Sequence, residues 1–369
     1  MNKSLCYQLT SAVDRDGLTG SGQTLVFTML REMMNLLHNL AILPVAGCLT
    51  LVWLYNPAKL LHRRKRSKIL LTASGGSTVN ELLEQTIQCT GYGFQKCNMI
   101  DCFPFSKLKH SCDITRSHIT TLPSVTKEFN PDILPSYFRL HAFKAHEGND
   151  YASLDNFLSN MTKPVMWCLS VEKYNALDIY NLLARYSELL SAVNYGRLEM
   201  IGFMAGKRTG GSRFEKHKDP LADEARRNIN RQLSDNTGSA LSFSIRTFAP
   251  SVRLAQLTAA VLAGSCLCDG TYDIHSDCVD QKQASEAVQS GMLLLPDIPL
   301  RTDCSETQKL YQKLKGLLNT ASAQELSGFF RLPIASDSFR PQTLACDTDP
   351  PAWSMDEILP FGYEVIGHV

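Results

Sequence analysis

The 369-residue sequence contains no GxxxxGK[ST] phosphate-binding loop, no GxSxG nucleophile elbow and no HExxH helix. A phosphate-binding loop needs backbone N–H groups to wrap the phosphates, a lysine to neutralise charge and a hydroxyl to hold Mg²⁺. The nearest approach is Gly202-Phe203-Met204-Ala205-Gly206-Lys207-Arg208. It is one residue short between its glycines, and Arg208 stands where the hydroxyl is required, so it reads as a turn. Ser74-Gly75-Gly76-Ser77-Thr78 has no lysine and reads the same way. A Walker-type ATPase on this chain is not expected, and no catalytic residue, cofactor or metal ligand is assigned from the sequence. An enzyme using some other nucleophile stays open, because nothing singles one cysteine or histidine out.

Charge of one sign is also missing. Lys and Arg number 37 against 36 Asp and Glu, a net of +1, so any contact with nucleic acid has to be local rather than global. The 12 cysteines form no CxxC pair, and they are scattered from Cys6 to Cys346, which fits reduced structural thiols better than a disulfide scaffold. Cys266, Cys268, His275 and Cys278 fall within 13 residues, but CxC is a poor zinc spacing, and Cys266 and Cys268 sit just past the end of an expected helix, where cysteine serves as a small apolar filler.

One long hydrophobic run is present. Leu36–Tyr55 is 20 residues without Asp, Glu, Lys or Arg, close to the length that crosses a bilayer core. It is followed by a basic cluster of Arg63, Arg64, Lys65, Arg66 and Lys68, whereas residues 1–35 carry three basic and three acidic side chains. The positive-inside rule then predicts a single-pass helix with the C-terminal bulk in the cytoplasm, at the inner membrane. The basic cluster is expected on anionic headgroups. No cleavable signal peptide is read, because a mixed polar segment precedes the apolar run.

Beyond the cluster, Thr78–Ile87 has helical spacing behind a Ser/Thr cap, whereas residues 94–135, with prolines at 104, 123, 131 and 135, read as irregular. From about residue 136 onward strands and helices alternate. Strands are expected at 138–142, 164–171, 198–205, 241–246 and 292–295, and helices at 151–161, 174–192, 219–233, 252–263, 306–318 and 323–330. The fold class is therefore α/β or α+β. The repeated helix–strand units suggest an internal duplication, although no self-similar sequence shows it. The expected organisation is an N-terminal extracytoplasmic segment (1–35), a transmembrane helix (36–55), a juxtamembrane basic and irregular region (56–135), an α/β domain (136–320) and a hinge segment (321–369).

Two segments carry a family resemblance. Thr320-Ala321-Ser322-Ala323-Gln324-Glu325-Leu326-Ser327-Gly328-Phe329-Phe330-Arg331-Leu332-Pro333 resembles the "Ser/Thr, acidic-Leu, small, aromatic, x-Leu-Pro" segment ahead of the nucleotide-binding core in FtsK/HerA-like DNA-translocating ATPases, including relatives of type IV coupling proteins. Phe214–Leu221, the charged helix ending Arg231-Gln232-Leu233, the strand Ser242-Phe243-Ser244-Ile245-Arg246 and the Ala-rich helix after it are similar in order to the region preceding that core. The resemblance implies a membrane-anchored, non-catalytic assembly region of such a motor, acting in conjugation or type IV secretion. It implies a partner ATPase core or subunit and a homo-oligomer. The nucleotide-binding core itself would lie elsewhere, and residues 322–333 would be the hinge towards it. The glycine-containing cationic stretch Lys207–Lys218 would then offer Lys207, Arg208 and Arg213 to phosphate or DNA. The alternative is a stand-alone membrane-tethered α/β scaffold or binding module.

Overall fold

A computed structural model describes residues 5–11, 33–42, 47–57, 66–89, 92–97, 105–121, 137–146, 160–174, 220–235, 240–268, 271–276, 278–298 and 315–332, with isolated positions between 154 and 187 and at 312. The expected 198–205 strand, the Gly202–Arg208 turn and the Lys207–Lys218 loop fall outside these residues, as does most of the expected 174–192 and 306–318 helices.

The first six elements are β1 (Leu5–Ser11), helix α1 (33–42), β2 (Gly47–Asn56), β3 (Arg66–Gly75), α2 (Ser77–Cys89) and β4 (Gly93–Lys96). Their strands lie in the order β4-β1-β3-β2, every pair antiparallel. A second set repeats the plan: β5 (His110–Arg116), helical positions at Leu154, Phe157 and Leu158, β8 (Val165–Lys173), β9 (Ala240–Ala249), α4 (Val252–Cys266) and β10 (Tyr272–Ser276). Its order is β10-β5-β9-β8, again antiparallel. Each set is a βαββαβ, or ferredoxin-like, unit. The two sets share one topology, although their sequences show no self-similarity.

The two units join edge to edge. Strand β2 pairs with β8 over eight positions from Cys48↔Glu172 to Tyr55↔Val165, so one antiparallel sheet of nine strands runs through both. Trp53 lies directly opposite Trp167 at this seam, and their rings stack with centroids 5.2 Å apart. The ninth strand, β11 (Thr320–Ser322), pairs with the beginning of β9. Excursions leave the second unit at two places. A two-stranded ribbon of β6 (His118–Thr121) and β7 (Tyr137–Leu140) follows β5, and helix α3 (Pro220–Asp235) intervenes between β8 and β9. Pro220 starts α3 as expected, since its missing N–H costs nothing in the first turn.

Helices of both units cover one face of the sheet. Met33, Leu36, Leu37, Leu40 and Ala41 of α1, Val79 and Leu83 of α2, Leu154 and Leu158, and Ala255, Ala259, Leu262 and Ala263 of α4 join the odd-numbered residues of β2, β3, β8 and β9 in one core. The alanines and other small residues on the buried face of α4 let that helix sit close to the sheet. The opposite face holds a smaller cluster, in which Ala284 and Val288 of α5 (Gln281–Ser290) meet Val52, Leu54, Leu70, Met166 and Phe248. After α5 the chain crosses this face: Ser74 of β3 donates to the Gly291 carbonyl, and Arg246 of β9 donates to the Leu294 carbonyl at 3.2 Å. Thr50, Thr72, Ser170, Ser242 and Ser244 of the same face are buried. Their small side chains let a backbone cross closely, and the Thr50 and Ser170 hydroxyls satisfy each other at 2.9 Å.

The apolar run Leu36–Tyr55 does not form the single membrane-spanning helix read from the sequence. Its first part completes α1, and residues 47–55 belong to β2, the strand at the seam of the sheet. A strand buried on both faces has no polar side to reveal its period of two, so it reads as a continuous apolar stretch. The burial of β2, complete from Gly47 to Tyr55, has this character. Among the described residues no helix is long and apolar enough to cross a membrane. Strands β1 to β5 and β8 to β10 belong together to this one sheet.

Candidate functional site

The two segments that carry the family resemblance converge on one strand. Strand β5 alternates Ser111, Asp113 and Thr115 with Cys112, Ile114 and Arg116, and it takes an ion pair on each face of the sheet. On the helix-covered face, Arg116 is fully buried. Its Nε donates to the Thr320 carbonyl at 2.6 Å, Nη1 to the His141 carbonyl at 3.1 Å and Nη2 to Glu325 Oε2 at 2.6 Å. The guanidinium also stands over the Phe143 ring, 5.6 Å from its centroid.

Glu325 has further partners. Ser322 caps the short helix α6 (Ala323–Leu326), its hydroxyl accepting from Glu325 N at 3.3 Å, while Glu325 Oε2 accepts from Ser322 N at 2.9 Å. This reciprocal capping box fixes the carboxylate where it also meets Arg116. Glu325 Oε1 accepts from the Phe143 amide at 3.2 Å. Phe143 in turn packs against Phe243 and Phe329, at 5.4 and 5.8 Å between centroids. Leu326, Phe329 and Phe330 are buried to completeness, and Arg331 is buried with Nε on the Gly328 carbonyl at 2.7 Å. Gly328 passes the Cys266 carbonyl so closely that a Cβ would strike it. The segment expected as a hinge is therefore packed into the core as far as Leu332.

On the other face, Asp113 pairs with Arg246, Oδ1 lying 2.7 Å from both Nε and Nη2. Both side chains are buried. Burial pushes the Asp113 carboxyl above the usual carboxylate range, against the pull of Arg246. Cys168, opposite Arg246 on β8, is pushed up to about 12 chiefly by burial. Beside the pair, His275 Nε2 lies 3.1 Å from Thr115 Oγ1. Arg246 of the resembling strand Ser242–Arg246 and Glu325 of the later segment are thus both committed to holding β5.

The sequence-nominated residues fall elsewhere. Arg63, Arg64 and Lys65 lie outside the described residues. Arg66 and Lys68 are in β3, where they pair with Asn56 and Leu54, and Lys68 is half-buried. Lys207, Arg208 and Arg213 also lie outside the described residues. Cys266, Cys268, His275 and Cys278 have separate surroundings: Cys266 is buried at the end of α4, Cys268 Sγ lies 3.4 Å from the Ala145 carbonyl and Cys278 Sγ 3.8 Å from the Ser276 carbonyl. Among the described residues no group of three or more His, Cys, Asp and Glu is placed to hold a metal ion.

Asp113 and Arg116 were not nominated from the sequence. They sit in the proline-flanked stretch read as irregular, although the alternation Ser111-Cys112-Asp113-Ile114-Thr115 has the period of a strand. No protein-family model matches the chain, and no curated protein matches it.

Proposed function

We propose that this chain is a non-catalytic assembly platform of an FtsK/HerA-like, type IV coupling-like DNA-translocating ATPase, working with a P-loop core supplied by another segment or subunit. The observation that carries this reading is the use of both resembling segments in one device. Arg246 and Glu325 are spent on clamping β5 from opposite faces, so the chain leading out at Leu332 is anchored to the continuous sheet. An anchor of this kind is what a region delivering force or position to an adjoining motor requires. Ferredoxin-like units serve many functions, so their presence does not decide the matter. The resemblance of the two segments supplies the motor context, and Lys207, Arg208 and Arg213 are its proposed DNA contact. The membrane anchor is not carried forward, because the run that suggested it belongs to α1 and β2.

The test is nucleotide binding and turnover. The purified chain should show no saturable binding of a fluorescent ATP analogue and no hydrolysis above buffer. A protein with GxxxxGK[ST] encoded beside its gene should form a complex with it on size exclusion and change its ATPase rate. Hydrolysis by the chain alone, abolished by Lys207→Ala, would overturn the reading. Absence of any complex with such a neighbour would favour the stand-alone scaffold.

A further inference from the structure

The sulfurs of Cys6 and Cys97 lie 3.3 Å apart, in contact but not bonded. Cys6 is in β1 and Cys97 directly follows β4. Tyr7 is opposite Lys96, so Cys6 and Cys97 form the next cross-strand pair, and the Cys97 amide donates to the Cys6 carbonyl at 3.0 Å. Opposed residues of a hydrogen-bonded antiparallel pair have Cα atoms about 5.5 Å apart, inside the disulfide range of about 4.4–6.8 Å. Closing the sulfurs to about 2.05 Å asks for a rotation of the side chains and no movement of the strands.

We propose that Cys6 and Cys97 are a redox-responsive dithiol that closes to a disulfide across β1 and β4 on exposure to hydrogen peroxide. Cys97 is half-buried and Cys6 buried, so access assigns the order of events. The Cys97 thiolate attacks one peroxide oxygen, the O–O bond breaks, and the released hydroxide leaves as water with the thiol's proton. The sulfenic acid formed meets the Cys6 sulfur already in contact. That sulfur displaces the sulfenic oxygen, which takes the Cys6 proton and leaves as a second water. Two thiols are oxidised by two electrons in all, and one peroxide is reduced to two waters. The strand β4 stands at the end of the sheet with β1 as its partner. The bond would therefore lock the terminal strand and the chain emerging at residue 97. Two other buried thiols, Cys48 and Cys168, are pushed up to about 12 by burial, which keeps them protonated and slow to react.

The experiment treats the reduced, folded chain with one equivalent of hydrogen peroxide, blocks residual thiols and maps peptides without reduction. The expected result is a Cys6–Cys97 linked peptide as the dominant product, a loss of two titratable thiols per chain, and reversal by dithiothreitol. Denatured chain treated in the same way should lose this preference. Cys97→Ser should abolish the linked peptide and leave Cys6 unmodified. Linkage of other cysteines first, or Cys97 running to the sulfinic acid with Cys6 still free to alkylate, would overturn the proposal. The wild-type mapping decides the matter even where a variant folds poorly.

Discussion

Glu325 closes its own helix cap, receives the Phe143 amide and neutralises Arg116 with a single carboxylate. Truncating it would leave a guanidinium buried without its charge partner, the case in which breaking an ion pair costs most. Glu325→Ala is expected to lower the unfolding free energy by about 3–5 kcal/mol, read from urea denaturation. Replacing both partners, Arg116→Met with Glu325→Leu, should cost clearly less than the sum of the single changes, because no charge is then stranded. Equal additivity would show that the pair is not coupled. Glu172 poses the opposite problem. It faces Cys48 and Ser242 across the sheet, and burial raises its carboxyl above the ordinary range. The folded state then holds a proton that the unfolded state has released, so its contribution is full below the ordinary carboxylate value and is lost as pH rises through the raised one. Asp113 shifts in the same direction. Glu172→Gln should therefore raise the melting temperature at pH 7 relative to the parent, and the gain should vanish near pH 4. A gain of equal size at both values would exclude the linkage.

At the scale of elements, the turn after α6 is held by a close backbone approach that only glycine permits. A Cβ at Gly328 would collide with the Cys266 carbonyl at the end of α4, whereas a Cβ at Gly264, two residues earlier on the same helix, meets nothing within 4 Å. Gly328→Ala is thus expected to destabilise by about 1–3 kcal/mol through forced separation of the two elements. Gly264→Ala should stabilise by about 0.5–1 kcal/mol by removing backbone freedom from the unfolded chain. Thermal unfolding of the two variants side by side distinguishes a packing effect from a general intolerance of the region. The same contrast explains what the sequence made legible. Helices α2, α3 and α4 announce themselves by caps and apolar spacing, and β8 and β9 by short apolar or alternating runs, close to their observed bounds. Strand β10 and helix α5 leave little pattern in the sequence: all five residues of β10 are half-buried, and α5 buries only Ala284 and Val288. Residues 292–295, expected as a strand from their four apolar side chains, are instead an extended crossing over the sheet with Met292 and Leu295 exposed. The clamp on β5 escaped notice for a different reason. Its partners are 133 residues apart in one pair and 209 in the other, a separation at which no local pattern links a carboxylate to its arginine.

For the whole molecule, the seam between β2 and β8 decides whether the two βαββαβ units behave as one body. Separating them would expose two long, apolar strand edges, a condition that natural sheets avoid. The stacked Trp53 and Trp167 fill the core beneath that seam, each contributing a large buried surface to both units. Unfolding should accordingly be a single cooperative transition, with amides of β3 in the first unit and β9 in the second exchanging at the same limiting free energy. Trp167→Ala removes the aromatic contact from the second unit alone, at an expected cost of about 3–5 kcal/mol. If the seam couples the units, hydrogen exchange should report that loss in β3 as fully as in β9, although β3 does not pair with the mutated strand. Protection of β3 unchanged beside a weakened β9 would mean two units melting independently. The clamp on β5 would then hold only the second of them, and a pull applied beyond Leu332 would not reach β1 or β4.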